Sequence, residues 1–450
     1  MRYSFLEQLI CPYCGSDLKV TSMVRENEKE LIDGIVSCDC SEYPVLSGIL
    51  ILNLDSLNDL VIEHVKDKKI RKAITICLGF DYFKRIQLEQ KTSLILPFPH
   101  QLSDIMRYFL SSSAEITVEK KFGRLYDHYS DKNNAFFDLL NDGVFDRYLK
   151  YRFSTDSFLS LYPFLPIISG KRTRILDIGC GAGQGSFVLS ECVKPSELCC
   201  ADKCFNLLYL AKKYFVPKAD LICLDFNNPL PFKGGTFSSI IMSDALFLVK
   251  SRFSFVREIE RVLMPDGLSL FLHVHSSLGN DLAPIGSRRE TMTPLAWKNM
   301  FEKIKLTTIM VPEEKVLKNF LFQNELKLES ESAEFELNCS NALIILSTSD
   351  VNIFRNYINV DRFLLNEKNN LIINPIYEKT QVSNKVILSR PSINVDSVGD
   401  FYPIADNYLP RQMEIDKSLI AKKFVCNSDF EDIECLIRKF VLLNVPENYI

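Results

Sequence analysis

The feature that most constrains this fold is a repeated alternation of short apolar stretches with longer amphipathic ones from about residue 171 onward. Continuous apolar stretches are typical of strands buried on both faces, and the segments between them have apolar residues at helical spacing. The predicted strands are RILDI (174–178), ELCCAD (197–202), ADLICLD (219–225), SSIIMSD (238–244) and LSLFLHVH (268–275), with KLTTIMV (305–311) and NALIILST (341–348) as strands that close the sheet. The pattern predicts an α/β fold with a doubly wound, mostly parallel sheet.

The 450 residues exceed what one ordinary core accommodates, so we expect several units. We predict a cysteine-rich domain over residues 1–52, a helical connector over 53–150, the α/β domain over 151–348, and a C-terminal extension over 349–450 with no predicted role. The connector is predicted to be helical at 57–80, at DIMRYFLSSS (104–113) and at 134–153. The extension has short strand-like runs (NLIINPIY, NKVILS) and a final helix-like stretch, FEDIECLIRKFVLLN (430–444).

Composition favours a soluble protein, with 47% apolar and 24% charged residues and a formal net charge of −4. The acidic balance disfavours a large phosphate-binding surface. No apolar run reaches the roughly 18 residues that span a bilayer, and no early segment resembles a secretion signal. We therefore expect a cytoplasmic protein without membrane segments, with its fourteen cysteines reduced.

A glycine-rich loop follows the first predicted strand, in ILDIGCGAGQGS (175–186). Its spacing, D-x-G-x-G-x-G-x-G, differs from the dinucleotide pattern G-x-G-x-x-G, and no G-K-S/T follows it. An acid at Asp177 would repel a pyrophosphate at the start of the next helix. It suits a ligand that carries an ammonium group and no phosphate, and S-adenosylmethionine is such a ligand.

Residues 171 to about 275 resemble class I S-adenosylmethionine-dependent methyltransferases, in the group with an LDIGCGAG loop. Two further blocks are similar to that family, PLPFKGGTFSSIIMSDAL and REIERVLMPDG, with Ser238, Met264 and Asp266 as departures from its pattern. The resemblance implies that Asp202 accepts hydrogen bonds from the ribose hydroxyls and that Asp225 faces the adenine amino group. The full set of predicted cofactor-binding residues is Asp177, Gly179, Cys180, Gly181, Gly183, Asp202, Lys203, Asp225, Phe226 and Ser243.

Paired cysteines mark the amino-terminal segment, with CPYC (Cys11, Cys14) followed by CDC (Cys38, Cys40). Cysteine pairs on two turns are typical of a tetrahedral zinc site, and a metal supplies stability that so small a segment lacks. The segment resembles the small zinc-ribbon proteins that partner tRNA and protein methyltransferases. We therefore predict a structural zinc ion, since four thiolates leave no open position, and a possible protein partner bound through the ribbon.

Methyl transfer from a sulfonium requires alignment of donor and acceptor, and removal of a proton when the acceptor is an alcohol or an amine. Candidate catalytic residues follow the fourth and fifth strands, which lie beside the transferable methyl in this fold. They are Asp244, His273 and His275. Residues i and i+2 of a strand share a face, so both histidines can line one site. One of the histidines, His275 or His273, is preferred as the base.

Three functions for the chain are considered. The first is a methyltransferase that acts on an oxygen, nitrogen or carbon atom of a small molecule, such as a natural-product-type metabolite. The second is an rRNA or tRNA base methyltransferase that grips RNA through the ribbon, but residues 1–50 carry only Arg2, Lys19, Arg25 and Lys29 as positive side chains. The third is a non-enzymatic scaffold. The first is favoured, and nucleic acid is not expected as a partner.

Overall fold

The computed structural model describes residues 1–53, 58–89, 115–140, 144–171, 174–276, 291–328, 334–358, 360, 370–390, 408–416 and 435–450. The strands are β1 (Lys19–Glu26), β2 (Leu31–Ser37), β3 (Glu42–Leu46), β4 (Ile49–Ile51), β5 (Ile175–Ile178), β6 (Leu198–Asp202), β7 (Asp220–Cys223), β8 (Phe237–Ser243), β9 (Leu263–His275), β10 (Thr307–Pro312), β11 (Glu325–Leu326), β12 (Ala342–Thr348), β13 (Tyr357–Ile358), β14 (Asn370–Ile373), β15 (Glu378–Val382), β16 (Lys385–Ser389), β17 (Gln412–Asp416) and β18 (Leu442–Val445).

Helices connect and flank these strands. The α-helices span Tyr3–Leu6, Asn58–Lys66, Ile70–Glu89, Glu115–Ser130, Val144–Tyr151, Asp156–Leu159, Leu165–Lys171, Gln184–Cys192, Phe205–Leu210, Arg252–Val262, Pro294–Phe301, Glu313–Lys318 and Glu334–Asn338. Short 3-10 helices span Phe137–Leu139, Arg152–Ser154, Tyr162–Phe164, Pro195–Glu197, Leu246–Leu248 and Val351–Ile353, and π-turns span Ala211–Phe215 and Asn319–Gln323. Among the described helices, none combines the length and apolar character needed to cross a membrane.

The centre of the fold is one eleven-stranded sheet in the order β1-β2-β3-β4-β7-β6-β5-β8-β9-β12-β10. Strands β7, β6, β5, β8 and β9 run parallel, and β12 lies antiparallel between β9 and β10. The chain winds outward from β5 in both directions, so the strand order reverses between β5 and β8. The predicted α/β class and doubly wound, mostly parallel sheet are confirmed, and all seven predicted strands are present.

The amino-terminal segment extends this sheet. Strands β1 to β4 form an antiparallel meander, and β4 pairs in parallel with β7, with Ile49 opposite Leu221. Arg2 also forms an ion pair with the buried carboxylate of Asp220 in β7. The cysteine-rich segment is thus joined to the central sheet by backbone pairing. The predicted boundaries of the four units remain predictions.

Aromatic packing joins the connector and the C-terminal extension to one face of the sheet. Tyr449 is 1% exposed and packs against Phe136 of the connector and against Phe153 and Phe215 of the α/β domain. The hydroxyl of Tyr449 donates to the carbonyl of Lys150 at 2.8 Å. The extension therefore buries part of the connector beneath it.

The connector is mostly helical where the structure describes it, but the predicted helix over 134–153 is broken into short pieces, with breaks before Phe137 and after Leu139. The predicted helix at 104–113 lies outside the described residues. The predicted final helix, 430–444, is wrong at its last three residues, 442–444, which belong to strand β18 and pair with β14. The apolar run there satisfies its backbone by sheet pairing, and helical spacing in a short apolar stretch does not exclude a strand.

Candidate active site

The carboxyl ends of the five parallel strands lie along one edge of the sheet, where ligands bind in open α/β folds. Asp177 lies in β5, Asp202 ends β6, Ser243 ends β8 and His275 ends β9. Asp225 follows β7 by two residues. The topology therefore brings the predicted cofactor-binding and catalytic residues to the same edge, on neighbouring strands.

Backbone geometry explains why glycine occupies several positions of the loop after β5. Gly179 has φ of 71°, and a Cβ atom there would lie 2.7 Å from Cβ of Ala245. Gly183 has φ of 95°, and its Cβ would lie 2.9 Å from Cβ of Ala211. At Gly181, with φ of 56°, a Cβ would meet nothing within 4 Å. Side chains are thus excluded by the protein at two positions, whereas Gly181 borders open space.

Two buried acids flank this loop. Asp177 Oδ2 accepts a hydrogen bond from the Ser186 hydroxyl at 2.5 Å, and burial raises the pKa of Asp177 to about 6. Asp202 Oδ2 accepts from the Gly181 amide at 2.9 Å, and Oδ1 accepts from the Cys204 amide at 2.9 Å. Burial also raises the pKa of Asp202. Each carboxylate oxygen retains a second lone pair, so Asp202 can still accept from two ligand hydroxyls.

The turn after β7 carries Asp225 and Phe226. Asp225 forms an ion pair with Lys203, and Oδ1 of Asp225 accepts from the backbone amide of Asn227 at 3.0 Å. Burial opposes ionisation of Asp225, but the bonds from Lys203 and Asn227 hold its pKa below the usual value. Lys203, predicted to bind the cofactor, therefore directs its ammonium group to Asp225. Cys180, another predicted cofactor residue near this edge, lies half-buried in the glycine loop.

Ser243 joins the sheet to the segment that follows the connector. Its hydroxyl donates to the carbonyl of Ser157 at 2.7 Å and accepts from Nη2 of Arg152 at 3.3 Å. The guanidinium of Arg152 also lies over the ring of Tyr148, 5.0 Å from its centre. The predicted cofactor residue at the end of β8 thus lies beneath a polar segment that spans the end of the connector and the start of the α/β domain.

Asp244, His273 and His275 form one cluster at the ends of β8 and β9. His275 Nε2 lies 3.1 Å from Asp244 Oδ1, and the Tyr148 hydroxyl donates to Asp244 Oδ2 at 2.9 Å. The two imidazole rings lie 4.9 Å apart, edge to face. Nδ1 of His273 lies 2.5 Å from Oε2 of Glu313, which follows β10 and is buried.

The histidines meet through an irregular strand. Leu272 and His273 of β9 together oppose Ile344 of β12, so His273 is the extra residue of a β-bulge, with φ of 51°. The two histidines lie close together, as the sequence predicts, but the strand that carries them is bulged and not regular.

Charge within the cluster is balanced internally. Burial opposes protonation of His273, but Glu313 and Asp244 outweigh it and raise the pKa of His273 to about 9. Burial likewise opposes ionisation of Asp244, and the neighbouring histidines and Arg152 hold its pKa well below the usual value.

Three residues of the site were not predicted: Tyr148, Arg152 and Glu313. Tyr148 and Arg152 are four residues apart, which places them on the same side of the chain within VFDRYLKYR, and this spacing was the available signal. For Glu313 there was no signal, because its contact with His273 joins two strand ends that are distant in sequence.

The four amino-terminal cysteines converge, with ligand atoms all within 4.8 Å of one another. Sγ of Cys40 lies 3.6 Å from Sγ of Cys11 and 3.4 Å from Sγ of Cys38. A tetrahedral site with Zn–S bonds of about 2.3 Å separates its sulfurs by about 3.8 Å. The arrangement therefore fits a zinc ion in both donor type and spacing.

Comparison with known proteins agrees with the topology. Residues 176–271 match the family model described as a methyltransferase domain. No curated protein matches the sequence.

Several solved structures are similar to part of this chain in fold. YcgJ from Bacillus subtilis is 18% identical, covers 41% of this chain and 98% of its own, and has a TM-score of 0.30. A possible histamine N-methyltransferase from Thermotoga maritima is 14% identical, covers 46% and 94%, and has a TM-score of 0.31. Phosphoethanolamine N-methyltransferase 2 from Haemonchus contortus, bound to S-adenosylhomocysteine, is 16% identical, covers 39% and 49%, and has a TM-score of 0.30.

Residues 176–271, within the α/β part of the chain, form a methyltransferase domain. The protein is an S-adenosylmethionine-dependent methyltransferase, which confirms the sequence prediction at that level.

Proposed function

We propose that the protein transfers a methyl group from S-adenosylmethionine to an oxygen, nitrogen or carbon atom of a small molecule. The observation that carries this proposal is the convergence of the Asp244, His273 and His275 side chains at the ends of β8 and β9, beside the glycine loop of a methyltransferase domain. The reacting atom of the acceptor would lie against this cluster.

The cofactor would lie along the strand ends. Asp202 is suited to the ribose hydroxyls, because its two oxygens are fixed by the Gly181 and Cys204 amides. Asp225 and Phe226 are suited to the adenine, and Asp177 to the methionine end, where a carboxylate attracts an ammonium group. Gly181 would approach the cofactor closely, in agreement with the open space at its α-carbon.

The covering of the site favours a small acceptor. Tyr148 at the end of the connector and Arg152 just after it bond to Asp244 and Ser243 at the end of β8. This segment is held in turn by the C-terminal extension, in which Nδ2 of Asn374 donates to Oγ of Ser154 at 2.6 Å. A large polynucleotide would have to displace these contacts.

The amino-terminal charges give little support to RNA binding. Of the four positive side chains in residues 1–50, Arg2 is paired with Asp220, and Arg25 lies 2.7 Å from Asp33. An RNA grip needs clustered, available basic side chains. The ribbon is better suited to a structural role and to a possible protein partner.

The chemistry needs little covalent help from the protein. The acceptor atom forms a bond to the methyl carbon while the carbon–sulfur bond breaks, and its electron pair stays on sulfur to give S-adenosylhomocysteine. The protein must align the two atoms and allow the proton of an alcohol or amine to leave. The cluster of Asp244, His273 and His275 is the group that would assist this loss.

A structural zinc ion is proposed at Cys11, Cys14, Cys38 and Cys40. When bound, zinc would tie the turn at Cys11–Cys14 to the turn at Cys38–Cys40. Cys11 Sγ also lies 3.1 Å from the Tyr43 hydroxyl at the start of β3, so the site would be anchored to the sheet.

Calorimetric titration with S-adenosylmethionine, S-adenosylhomocysteine and NAD tests the cofactor. We expect binding of the first two and none of NAD. Incubation with methyl-labelled cofactor and a cell extract, separated into small molecules and RNA, then tests the acceptor. Label in the small-molecule fraction is expected. Label in RNA would support the RNA methyltransferase, and cofactor binding without transfer to either would favour the scaffold.

A further inference from the structure

The cluster at the ends of β8 and β9 has the donor set of a transition-metal site. Asp244, His273 and His275 each offer one ligand atom, and these atoms all lie within 4.8 Å of one another. Two imidazole nitrogens and one carboxylate oxygen form a set that divalent first-row metals bind while keeping positions open for other ligands. The three side chains are partly accessible, at 9–21% exposed, so an ion can enter.

The backbone is shaped to create this convergence. Both Asp244 and His273 have positive φ, at 56° and 51°, which side-chain-bearing residues seldom adopt. His273 is also the extra residue of the β-bulge in β9. Such conformations persist where the surrounding fold enforces them, and they gather at ligand and catalytic sites. Two of them, at adjacent strand ends and in two of the three ligands, form a preorganised site.

Glu313 supplies the outer support that metal-binding histidines usually have. Its Oε2 holds Nδ1 of His273, which leaves Nε2 as the nitrogen available to an ion. A carboxylate on the far nitrogen fixes the orientation and tautomer of a ligating imidazole. Glu313 is 3% exposed, and its other oxygen, Oε1, is buried without a hydrogen-bond partner in the described structure.

We propose that Asp244, His273 and His275 bind a divalent first-row metal ion, with Glu313 as the positioning residue of His273. The role of the ion rests on the proposed function. An acceptor hydroxyl bound to it would have a lowered pKa and would lose its proton to water. The oxygen then attacks the methyl carbon, and the carbon–sulfur electron pair stays on sulfur. In this arrangement the histidines would act as metal ligands and not as bases, and the ion would make the acceptor nucleophilic.

Mn²⁺ is the probe that separates this site from the four cysteines, because it prefers oxygen and nitrogen ligands to thiolates. The full-length protein, freed of metals at the histidine cluster by dialysis against a weak chelator, is titrated with Mn²⁺ and free ion is followed by electron paramagnetic resonance. We expect one site per chain. His275→Ala should abolish it, and Glu313→Gln should weaken it by about 10- to 100-fold.

His128→Ala is the matched control, because His128 lies in the helix Glu115–Ser130 and outside the cluster; it should bind Mn²⁺ as the wild type does. Calorimetry with S-adenosylhomocysteine on every variant shows, independently of Mn²⁺, whether the variant is folded and whether its proposed cofactor site is intact. Absence of Mn²⁺ binding in wild type that binds S-adenosylhomocysteine would overturn the metal site and leave the methyltransferase proposal standing. Mn²⁺ binding that survives His275→Ala would also overturn it. Mn²⁺ binding that depends on His275, without binding of S-adenosylhomocysteine, would support the metal site and contradict the cofactor assignment.

Discussion

The amide nitrogen of Gly181 lies 2.9 Å from Oδ2 of Asp202 and donates a hydrogen bond to it. The bond links the glycine loop after β5 to the acid at the end of β6. It therefore sets the distance between the two parts of the site that we propose for the methionine and ribose portions of the cofactor.

Asp202→Ala should weaken the binding of S-adenosylmethionine by at least about tenfold. The change removes a charged acceptor for two hydroxyl groups, and hydrogen bonds to charged groups contribute roughly 1.5–3 kcal/mol each. Calorimetry measures the dissociation constant. Asp202→Asn keeps the side-chain shape and one oxygen acceptor, so its affinity for S-adenosylmethionine should lie between those of the wild type and the alanine variant. Wild-type affinity in the alanine variant would contradict the cofactor assignment.

Gly181→Val and Gly183→Ala should fail in different ways. Gly181 borders open space, so we expect its variant to fold, with some backbone strain, and to lose cofactor binding. At Gly183 a Cβ would lie 2.9 Å from Cβ of Ala211, so this variant should lose stability directly. Thermal melting and calorimetry on both proteins separate the effects. Equal loss of stability in the two would refute the distinction.

Asp177→Asn should remove a pH dependence from folding. The unfolded chain ionises Asp177 near its ordinary pKa of 3.8, whereas burial raises the pKa in the folded state to about 6. Wild-type stability is therefore penalised as pH rises from about 4, and the penalty is complete above about pH 6. The stability of the variant relative to wild type should rise by about 3 kcal/mol across this range. Urea unfolding at pH 4, 5, 6 and 7 tests this, and parallel pH profiles would count against it.

Cys11→Ser should remove the one zinc ion that we expect per chain and lower the melting temperature by several degrees. Cys11 is 1% exposed and contacts both Cys40 and Tyr43, so it joins the proposed metal site to the sheet. Metal analysis and thermal melting measure the two effects. Cys339→Ser, at an exposed thiol, is the control. A wild type that is well folded and free of zinc would refute the zinc prediction.

Tyr449→Ala should destabilise the protein by about 3–5 kcal/mol, because it empties the space between Phe136, Phe153 and Phe215. Tyr449→Phe keeps the packing and loses only the bond to Lys150, so it should cost about 1 kcal/mol. Denaturant unfolding measures both. Similar losses for the two variants would mean that the hydroxyl, rather than the ring, holds the connector.

The sequence was most informative where the physics is local. Strands β5 to β9 are largely buried on both faces and therefore appear in the sequence as mostly apolar runs. The glycines of the loop after β5 are also a local signal, because the backbone there has positive φ angles. The convergence of Asp202, Asp225 and His275 then follows, because parallel strands share one edge for their carboxyl ends.

Contacts between residues far apart in the chain could not be predicted from the sequence. The pairing of β4 with β7 joins residues far apart in the chain, and GILIL has no feature that specifies a parallel partner. The bulge at His273 depends on one extra residue relative to β12, which only the paired strand reveals. The contact between Tyr148 and Asp244 depends on how the connector folds back over the sheet.

The addition of β1 to β4 changes where the sheet is vulnerable. Without them β7 would be a bare edge of buried apolar residues, a template for pairing with another molecule. With them the outermost strand is β1, whose side chains are exposed or half-buried and include Lys19, Arg25 and Glu26. Its pairing with β2 is interrupted at three points, so its outer side is a poor template. The cysteine-rich segment thus covers the edge that β7 would otherwise present, and β1 takes its place at that side of the sheet.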